Sequence, residues 1–381
     1  MIFPDAMLGM LGGGQLGRMF TLAAHSMGYR VAVLDPDPLS PAGAIADVHL
    51  KASYQDHEAL QQLADTCVAV TTEFENVPAE SLRWLASHCP VRPAGDCVAV
   101  AQDRIREKRF LSEAGLEVAP FAVIERESDF DGLEGALFPG VLKRARFGYD
   151  GKGQARVAGA DEARAAFTAL GREPCVLEKL VTLACEVSVV AARGADGMVR
   201  CFPLAENRHR NGILDVSVVP ARIAPALAQQ AERAAVEVAD RFGYCGVLAV
   251  EFFVTADGRL LANEIAPRPH NSGHYTLDAC ITSQFEQQVR TLCGLPLGDT
   301  QLFAPVAMVN LLGDAWQRGH PAWDKLFAHP QAKLHLYGKH EARPGRKMGH
   351  FTVLGATADD ALERALAIRS ELYPEPAAAP A

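Results

Sequence analysis

Two glutamates, Glu251 and Glu264, stand at the centre of the stretch LAVEFFVTADGRLLANEIAPRPHNSGH, which runs from residue 248 to residue 274. The stretch predicts a β-hairpin, two apolar runs on either side of Asp257-Gly258, a dipeptide that favours a two-residue turn. Such a turn pairs Ala256 with Arg259, and the same register continued sets Glu251 opposite Glu264. Like charges directly opposed on one face of a ladder are destabilising, and a cation between them relieves this. Two hard carboxylates suit Mg²⁺, which takes oxygen ligands and shares its shell with substrate phosphates. The alternative is an edge hairpin whose two glutamates point into water. The dense polar run that follows, with Asn263, Arg268, His270, Asn271, Ser272 and His274, favours a site.

Other candidate groups lie in an alternating α/β rhythm. Gly12, Gly14 and Gly17 form a G-x-G-x-x-G between a short strand and a helix, with Gln15 in a variable position. A strand over 30–34 then ends in Asp35, close to where a dinucleotide fold places its ribose-binding acid. By itself the pattern certifies only a tight turn that lets a helix N-terminus approach a phosphate. A strand over 68–72 delivers Glu73 and Glu75 to its carboxyl end, where ligands of open α/β sheets collect. Glu75 reads as an acid at a helix N-terminus, favoured by the dipole, and Glu73 as a ligand group.

Lys143 closes a short apolar strand and is followed by a loop with glycines at 148, 151 and 153. Backbone this free can fold over phosphates and open again, and the lysine beside it supplies a point charge. The P-loop pattern G-x-x-x-x-G-K-[ST] is absent, and a plain surface hairpin is the alternative. Glu178 ends a further strand, and Glu186 follows. Glu206, Asn207, His209 and Arg210 form a polar island before a helix over about 224–242. Near the end a basic run of Lys333, His335, Lys339, His340, Arg343, Arg346, Lys347 and His350 surrounds the turn Pro344-Gly345, a candidate anion site.

The length of 381 residues predicts two or three domains. The boundaries expected divide the chain into units over 1–100, 101–297 and 298–381. An apolar content of 49% with 22% charged residues is that of a soluble globular chain. A net charge of −9 argues against nucleic acid as the main partner. No apolar run reaches the length that spans a bilayer, and no charged-then-apolar signal segment opens the chain. Nine cysteines without a C-x-x-C pair fit a reducing cytoplasm, not a disulfide framework. The terminal PEPAAAPA is Pro/Ala low-complexity sequence, expected to be disordered.

The ordered set of Lys143, the GYDGKGQ loop, Glu178-Lys179-Leu180-Val181, Glu186, Glu251 and Asn263-Glu264 resembles the ATP-grasp superfamily. The further stretches GGGQLGRM, TTEFENV, NEIAPRPHNSGHYT and RPGRKMGH resemble, within it, the N5-carboxyaminoimidazole ribonucleotide synthase family, over roughly residues 7–354. The resemblance implies an ATP-grasp fold of mixed α/β and α+β character, with a Rossmann-like N-terminal domain and a small C-terminal one. It implies a ligase that uses ATP, Mg²⁺ and bicarbonate to carboxylate 5-aminoimidazole ribonucleotide in purine synthesis. It also implies a cytoplasmic homodimer whose product passes to the N5-carboxyaminoimidazole ribonucleotide mutase.

Carried over motif by motif, Arg104 and Lys143 would contact the ATP phosphates, with Gly148, Tyr149, Asp150, Gly151, Lys152, Gly153 and Gln154 as a lid. Glu178, Lys179, Leu180 and Val181 would surround the adenine, and Glu186 would hold the ribose. His209 would lie near the nucleotide, and Asn263 beside the metal carboxylates Glu251 and Glu264. Gln15, Glu73, Tyr149, Asp150 and Asn271 would meet the ribonucleotide, with Lys339, Arg346 and Lys347 on its phosphate. Arg268 and His270 would serve bicarbonate and proton transfer. A nicotinamide-dependent oxidoreductase built on the N-terminal glycines, and a sensor that binds ATP without turnover, are the readings left beside this one.

Overall fold

The apolar runs MLGML, RVAVL and AVTT become β1 (Met7–Leu11), β2 (Arg30–Leu34) and β4 (Ala69–Thr72), joined by β3 (Val48–Leu50) in a parallel sheet of order β3-β2-β1-β4. In the computed structural model, residues 1–133, 135–148, 153–317 and 319–373 are described. Near-continuous apolar strands belong to sheets covered on both faces. Here α1 (Gln15–Ser26) packs on one face, while α2 (His57–Thr66), α3 (Ala79–Ala86) and α4 (Gly95–Ala101) pack on the other.

Next comes α5 (Arg104–Glu113), started by Asp103, whose carboxylate accepts from the Ile105 and Arg106 N–H groups. A four-stranded antiparallel sheet of order β5-β8-β6-β7 is built from β5 (Phe121–Ile124), β6 (Gly140–Arg144), β7 (Gln154–Val157) and β8 (Cys175–Lys179). Its apolar face closes against α6 (Ala160–Ala169) through Ala163 and Phe167.

The long antiparallel sheet uses β9 (Leu183–Arg193), β10 (Val199–Cys201), β11 (Ala205–Arg210), β12 (Ile213–Val219), β13 (Gly246–Thr255) and β14 (Leu260–Ala266). Between β12 and β13 runs α7 (Pro225–Arg241), close to the expected limits, which lays Ala231, Ala235 and Val238 on the sheet. After β14 come α8 (Thr276–Ala279) and α9 (Gln284–Cys293); α9 begins at the Ser283 cap and ends at a left-handed Gly294.

The C-terminal residues do not form a sheet of their own. Strand β12 pairs with β15 (Val306–Leu312), which pairs with β17 (Lys347–Leu354), beside β16 (Ala332–Leu336), so the sheet continues in the order β14-β13-β9-β11-β12-β15-β17-β16. Short α10 (Trp323–Phe327) and α11 (Ala358–Leu372) cover that end. Residues 374–381, the low-complexity tail, lie outside the described residues.

The central hairpin differs from the expected one at two points. Its turn is one residue longer, because Thr255 and not Ala256 pairs with Arg259, around Gly258 at φ +82°. That shifts the ladder by one residue over Phe252–Val254. A β-bulge at Asn263 then shifts it back, and Glu251 does face Glu264. The two offsets cancel at the carboxylate pair.

Candidate active site

A cleft of about 400 Å³ opens where the three sheets meet. From the N-terminal unit it takes Glu75 and Gln102, from the four-stranded sheet Lys143, Gly148 and Gln154, and from the long sheet Glu186, His209, Glu251, Asn263 and Glu264. Arg104 on α5, Leu180 after β8, the turn residues Arg268, His270 and Asn271, and Lys347 on β17 complete the wall.

Each acid of the central pair meets a basic side chain. Glu264 Oε2 accepts from Arg104 Nη1 at 3.1 Å, and Glu251 Oε1 lies 3.0 Å from His270 Nε2. Burial alone would raise the Glu264 carboxyl; Arg104 and then Lys143 outweigh it and hold the group below the usual carboxylate range. Between the two acids in sequence sits the bulge residue Asn263, whose Oδ1 is buried without a hydrogen-bond partner among the described residues. Two carboxylates and an unsatisfied amide oxygen are a set of hard oxygens that fits Mg²⁺. Glu186, His209 and Glu251 also bring ligand atoms within 4.8 Å of one another. The His209 Nδ1–Glu186 Oε2 distance is 3.1 Å; burial pulls the imidazole pKa down, and Glu186 more than restores it, so the net shift is upward.

Lys143 reaches the cleft, but Glu178 does not. Its carboxylate is only 3% exposed and lies beneath Lys143, with Oε2 3.0 Å from Lys143 Nζ and Oε1 3.5 Å from Lys108 Nζ. Burial acts to raise this carboxyl, and the lysines, Lys143 first, bring it below its ordinary value. The Glu178 side chain is an internal counter-ion, buried because alternation along β8 turns it inward. The N–H groups of Lys179 and Leu180 are already engaged by the Pro120 and Pro139 carbonyls, both at 2.8 Å, so neither is available to a base edge. Lys179, Val181 and Gly153 do not line the cleft. Tyr149, Asp150, Gly151 and Lys152 lie outside the described residues.

Behind His270 runs a buried polar chain that the sequence did not announce. His270 Nδ1 is 2.8 Å from Ser272 Oγ, which is 2.7 Å from Ser188 Oγ; Asn207 Nδ2 donates to Ser188 Oγ at 2.9 Å, and Ser217 Oγ donates to Asn207 Oδ1 at 2.8 Å. Asn271 is held by a reciprocal amide pair with Asn310, at 3.0 and 2.7 Å. The turn itself is pinned by Gln284, which accepts from His270 N and donates to His270 O.

The first glycine-rich turn is closed by the protein's own carboxylates. Glu73 accepts from the Gly14 and Gly17 N–H groups, and Asp35 from Gly13 N–H. A Cβ on Gly12 would sit 2.3 Å from the Glu73 side chain, which is why glycine is needed there. Glu73 caps the start of α1, while Glu75, expected as an acid at a helix N-terminus, pairs with Arg268 instead. The groups a dinucleotide fold would offer to ribose and pyrophosphate are engaged within the turn.

The basic run does not converge as one patch. Lys333 and His335 face Asp278, His350 is fully buried, Arg343 pairs with Glu341, and Arg346 Nη1 donates to Glu341 O. Alternation along β16 and β17 distributes the side chains to opposite faces. Lys347 alone of this run lines the cleft, while Lys339 donates to the Lys347 carbonyl at 2.7 Å and its charge acts on Glu73. Gln15, at the start of α1, lies outside the cleft lining.

Comparison with known proteins agrees with this fold. Residues 6–102 match the ribonucleotide synthetase preATP-grasp domain, 109–285 the ATP-grasp domain and 306–364 the phosphoribosylaminoimidazole carboxylase C-terminal domain. Fold and site together define an ATP-grasp ligase. The N5-carboxyaminoimidazole ribonucleotide synthase of Bacillus subtilis is 45% identical over 360 residues, 94% of each chain. That of Brucella melitensis is 47% identical over 352 residues, 92% of this chain and 96% of its own. The chain belongs to the N5-carboxyaminoimidazole ribonucleotide synthase family. Among solved structures, the Staphylococcus aureus synthetase complexed with ADP superposes with a TM-score of 0.91 at 36% identity, covering 96% of this chain and 98% of that one. The Aspergillus clavatus synthase in complex with ADP and 5-aminoimidazole ribonucleotide gives 0.89 at 32% identity, covering 97% and 98%.

Proposed function

We propose that this protein carboxylates 5-aminoimidazole ribonucleotide to N5-carboxyaminoimidazole ribonucleotide, with ATP and bicarbonate consumed and ADP and phosphate released, in purine biosynthesis. The observation that carries this reading is the placement of Glu251, Asn263 and Glu264 in one cleft with Arg104, Lys143, Arg268 and His270.

Glu251, Glu264 and Asn263 would hold Mg²⁺, which when bound neutralises charge on the phosphates of ATP. Arg104 and Lys143 face the transferred phosphoryl group. A bicarbonate oxygen attacks the γ-phosphorus, the bond to ADP breaks, and carboxyphosphate forms; cationic side chains aimed at the developing charge supply most of what the protein contributes. The carboxyl carbon, or CO₂ released from it, is then captured by the exocyclic amine of the ribonucleotide, and phosphate leaves. Arg268 orients bicarbonate. His270, held by Ser272 at Nδ1 and lying 3.0 Å from Glu251 Oε1 at Nε2, serves proton transfer. Carboxyphosphate is short-lived in water, so the reaction needs a cleft that keeps water out while it forms.

On this reading Leu180 borders the adenine, Glu186 holds the ribose, and His209 lies beside the nucleotide. Asn271 and Lys347 meet the ribonucleotide, with Gln15, Glu73, Lys339 and Arg346 further along its path. The reading extends to a division at about residues 100 and 297, and to a cytoplasmic homodimer that hands its product to the mutase. Among the described residues no helix is long and apolar enough to cross a membrane.

The experiment is phosphate release from MgATP and bicarbonate with and without 5-aminoimidazole ribonucleotide. Release that requires the ribonucleotide is expected; release indifferent to it would mean another acceptor.

A further inference from the structure

Strand β14 is the edge of the long sheet, and edge strands leave a row of backbone groups without a neighbouring strand. Two such groups flank Glu264, and both are held by side chains of one helix. Glu107 Oε1 accepts from the Ile265 N–H at 2.6 Å, and Lys108 Nζ donates to the Asn263 carbonyl at 2.9 Å. Arg104, one turn earlier on α5, meets the Glu264 carboxylate itself. The spacing i, i+3, i+4 puts Arg104, Glu107 and Lys108 on one face of the helix. The backbone on both sides of Glu264 and the side chain between are thus gripped from a single rigid element.

Burial makes this arrangement costly. Glu107 is 2% exposed and Lys108 is fully buried. A buried ion network is weak evidence for stability, since well-packed apolar residues often serve a fold as well or better. Covering the edge of β14 would not by itself call for a buried lysine. Lys108 also faces Glu178, which in turn holds Lys143, so one ammonium group ties the strand of the carboxylate pair to the lysine on β6.

We propose that Glu107 and Lys108 are positioning residues that fix the Glu264 carboxylate, with its neighbour Asn263, in the geometry a divalent cation requires. The inference rests on the reading of Glu264 as a metal carboxylate and adds the groups that orient it. Such outer partners matter because a ligand free to rotate loses part of its binding energy to ordering, and removing one costs about 10–100-fold in metal affinity.

The test uses Mn²⁺ as the probe, titrated by electron paramagnetic resonance into the full-length protein with ADP present. Lys108→Met keeps the apolar stem and removes the donor to Asn263. It should bind Mn²⁺ about 10–100-fold more weakly, while ADP affinity measured without metal stays that of the parent, and the KM for Mg²⁺ rises more than the KM for ATP. A folded Lys108→Met that binds Mn²⁺ like the parent overturns the inference. If that variant does not fold, Glu107→Ala, which removes the acceptor for Ile265 N–H, carries the same expectation and the same overturning result. Glu264→Gln run alongside separates the two levels. If it loses Mn²⁺ and the α5 variants do not, only the positioning role falls; if it binds Mn²⁺ normally, the metal assignment falls and takes the positioning role with it.

Discussion

Glu75 and Arg268 meet across the cleft, the Arg268 Nε donating to Glu75 Oε2 at 2.5 Å, and the pair ties the parallel N-terminal sheet to the turn that follows β14. Burial acts to raise the Glu75 carboxyl, and Arg268 overcomes it and brings the group below its ordinary value. The Glu75 main chain is fixed in turn by Gln102 Nε2, which donates to its carbonyl at 2.6 Å. If Arg268 orients bicarbonate as proposed, it loses its aim when the carboxylate that holds it is removed. Glu75→Ala should raise the KM for bicarbonate about tenfold or more with little change in the KM for ATP. Steady-state kinetics with each substrate varied will decide; equal losses for both would make Glu75 a general brace between the units.

Glu264→Gln keeps shape and removes charge at the carboxylate pair. The folded protein should persist, by circular dichroism, while MgATP turnover falls about a hundredfold or more. Turnover at the parent rate would remove Glu264 from the metal set.

The two basic residues at the start of β17 should separate. Lys347 lines the cleft, whereas the Arg346 guanidinium is engaged by the Glu341 carbonyl. Loss of one charge-assisted contact to a phosphate is worth about 1.5–3 kcal/mol, or roughly 10–100-fold in affinity. Lys347→Ala should therefore weaken 5-aminoimidazole ribonucleotide by that factor, and Arg346→Ala much less, with ATP affinity kept in both. Isothermal titration calorimetry gives the comparison directly, and a larger loss in Arg346→Ala would reverse the assignment.

Acid stability should depend on His350. The ring is fully buried beside His335 at 4.6 Å, with His274 at 5.0 Å and Tyr337 on its Nδ1. Burial first, then His274 and His335, hold its pKa well below the ordinary 6.5, against a smaller upward pull from Asp278. Between 6.5 and the folded value only the unfolded chain takes the proton, so stability is present above pH 6.5 and lost as pH falls below it. Each such group contributes a slope of about 1.4 kcal/mol per pH unit. Glu73 and Glu107, whose folded values are raised, act with the opposite sign over part of the same range, so the parent's total slope is a mixture. The difference between the parent and His350→Gln isolates the imidazole. The variant's unfolding free energy, from denaturant titrations at pH 6.5 and below, should fall less steeply by about that slope. Identical slopes would show that the ring is protonated in the folded protein.

What the sequence determined by itself was local or periodic. The strand–turn–helix opening, the apolar runs of β1, β2 and β4, the α7 helix and the carboxylate hairpin are written in spacings of a few residues, and hydrophobic periodicity and turn chemistry act over that range. Glu251 and Glu264 were placed opposite one another correctly, although through two one-residue offsets, the longer turn at Gly258 and the bulge at Asn263, that cancel.

What only the tertiary structure decided are the contacts between residues far apart along the chain. The Glu75–Arg268 pair spans 193 residues, Lys108–Asn263 spans 155 and Gly14–Glu73 spans 59. No local pattern tells whether an acid at a strand end caps a neighbouring helix or aims an arginine, because the two acids differ only in which face of the turn they leave. The fold sets Glu73 on the N-terminus of α1 and turns Glu75 to Arg268. Likewise the basic run looked convergent in one dimension, and strand alternation sent His350 into the core and Lys347 to the cleft. The face shared by Arg104, Glu107 and Lys108 was legible as a spacing; its meaning came from β14, which the fold lays against it.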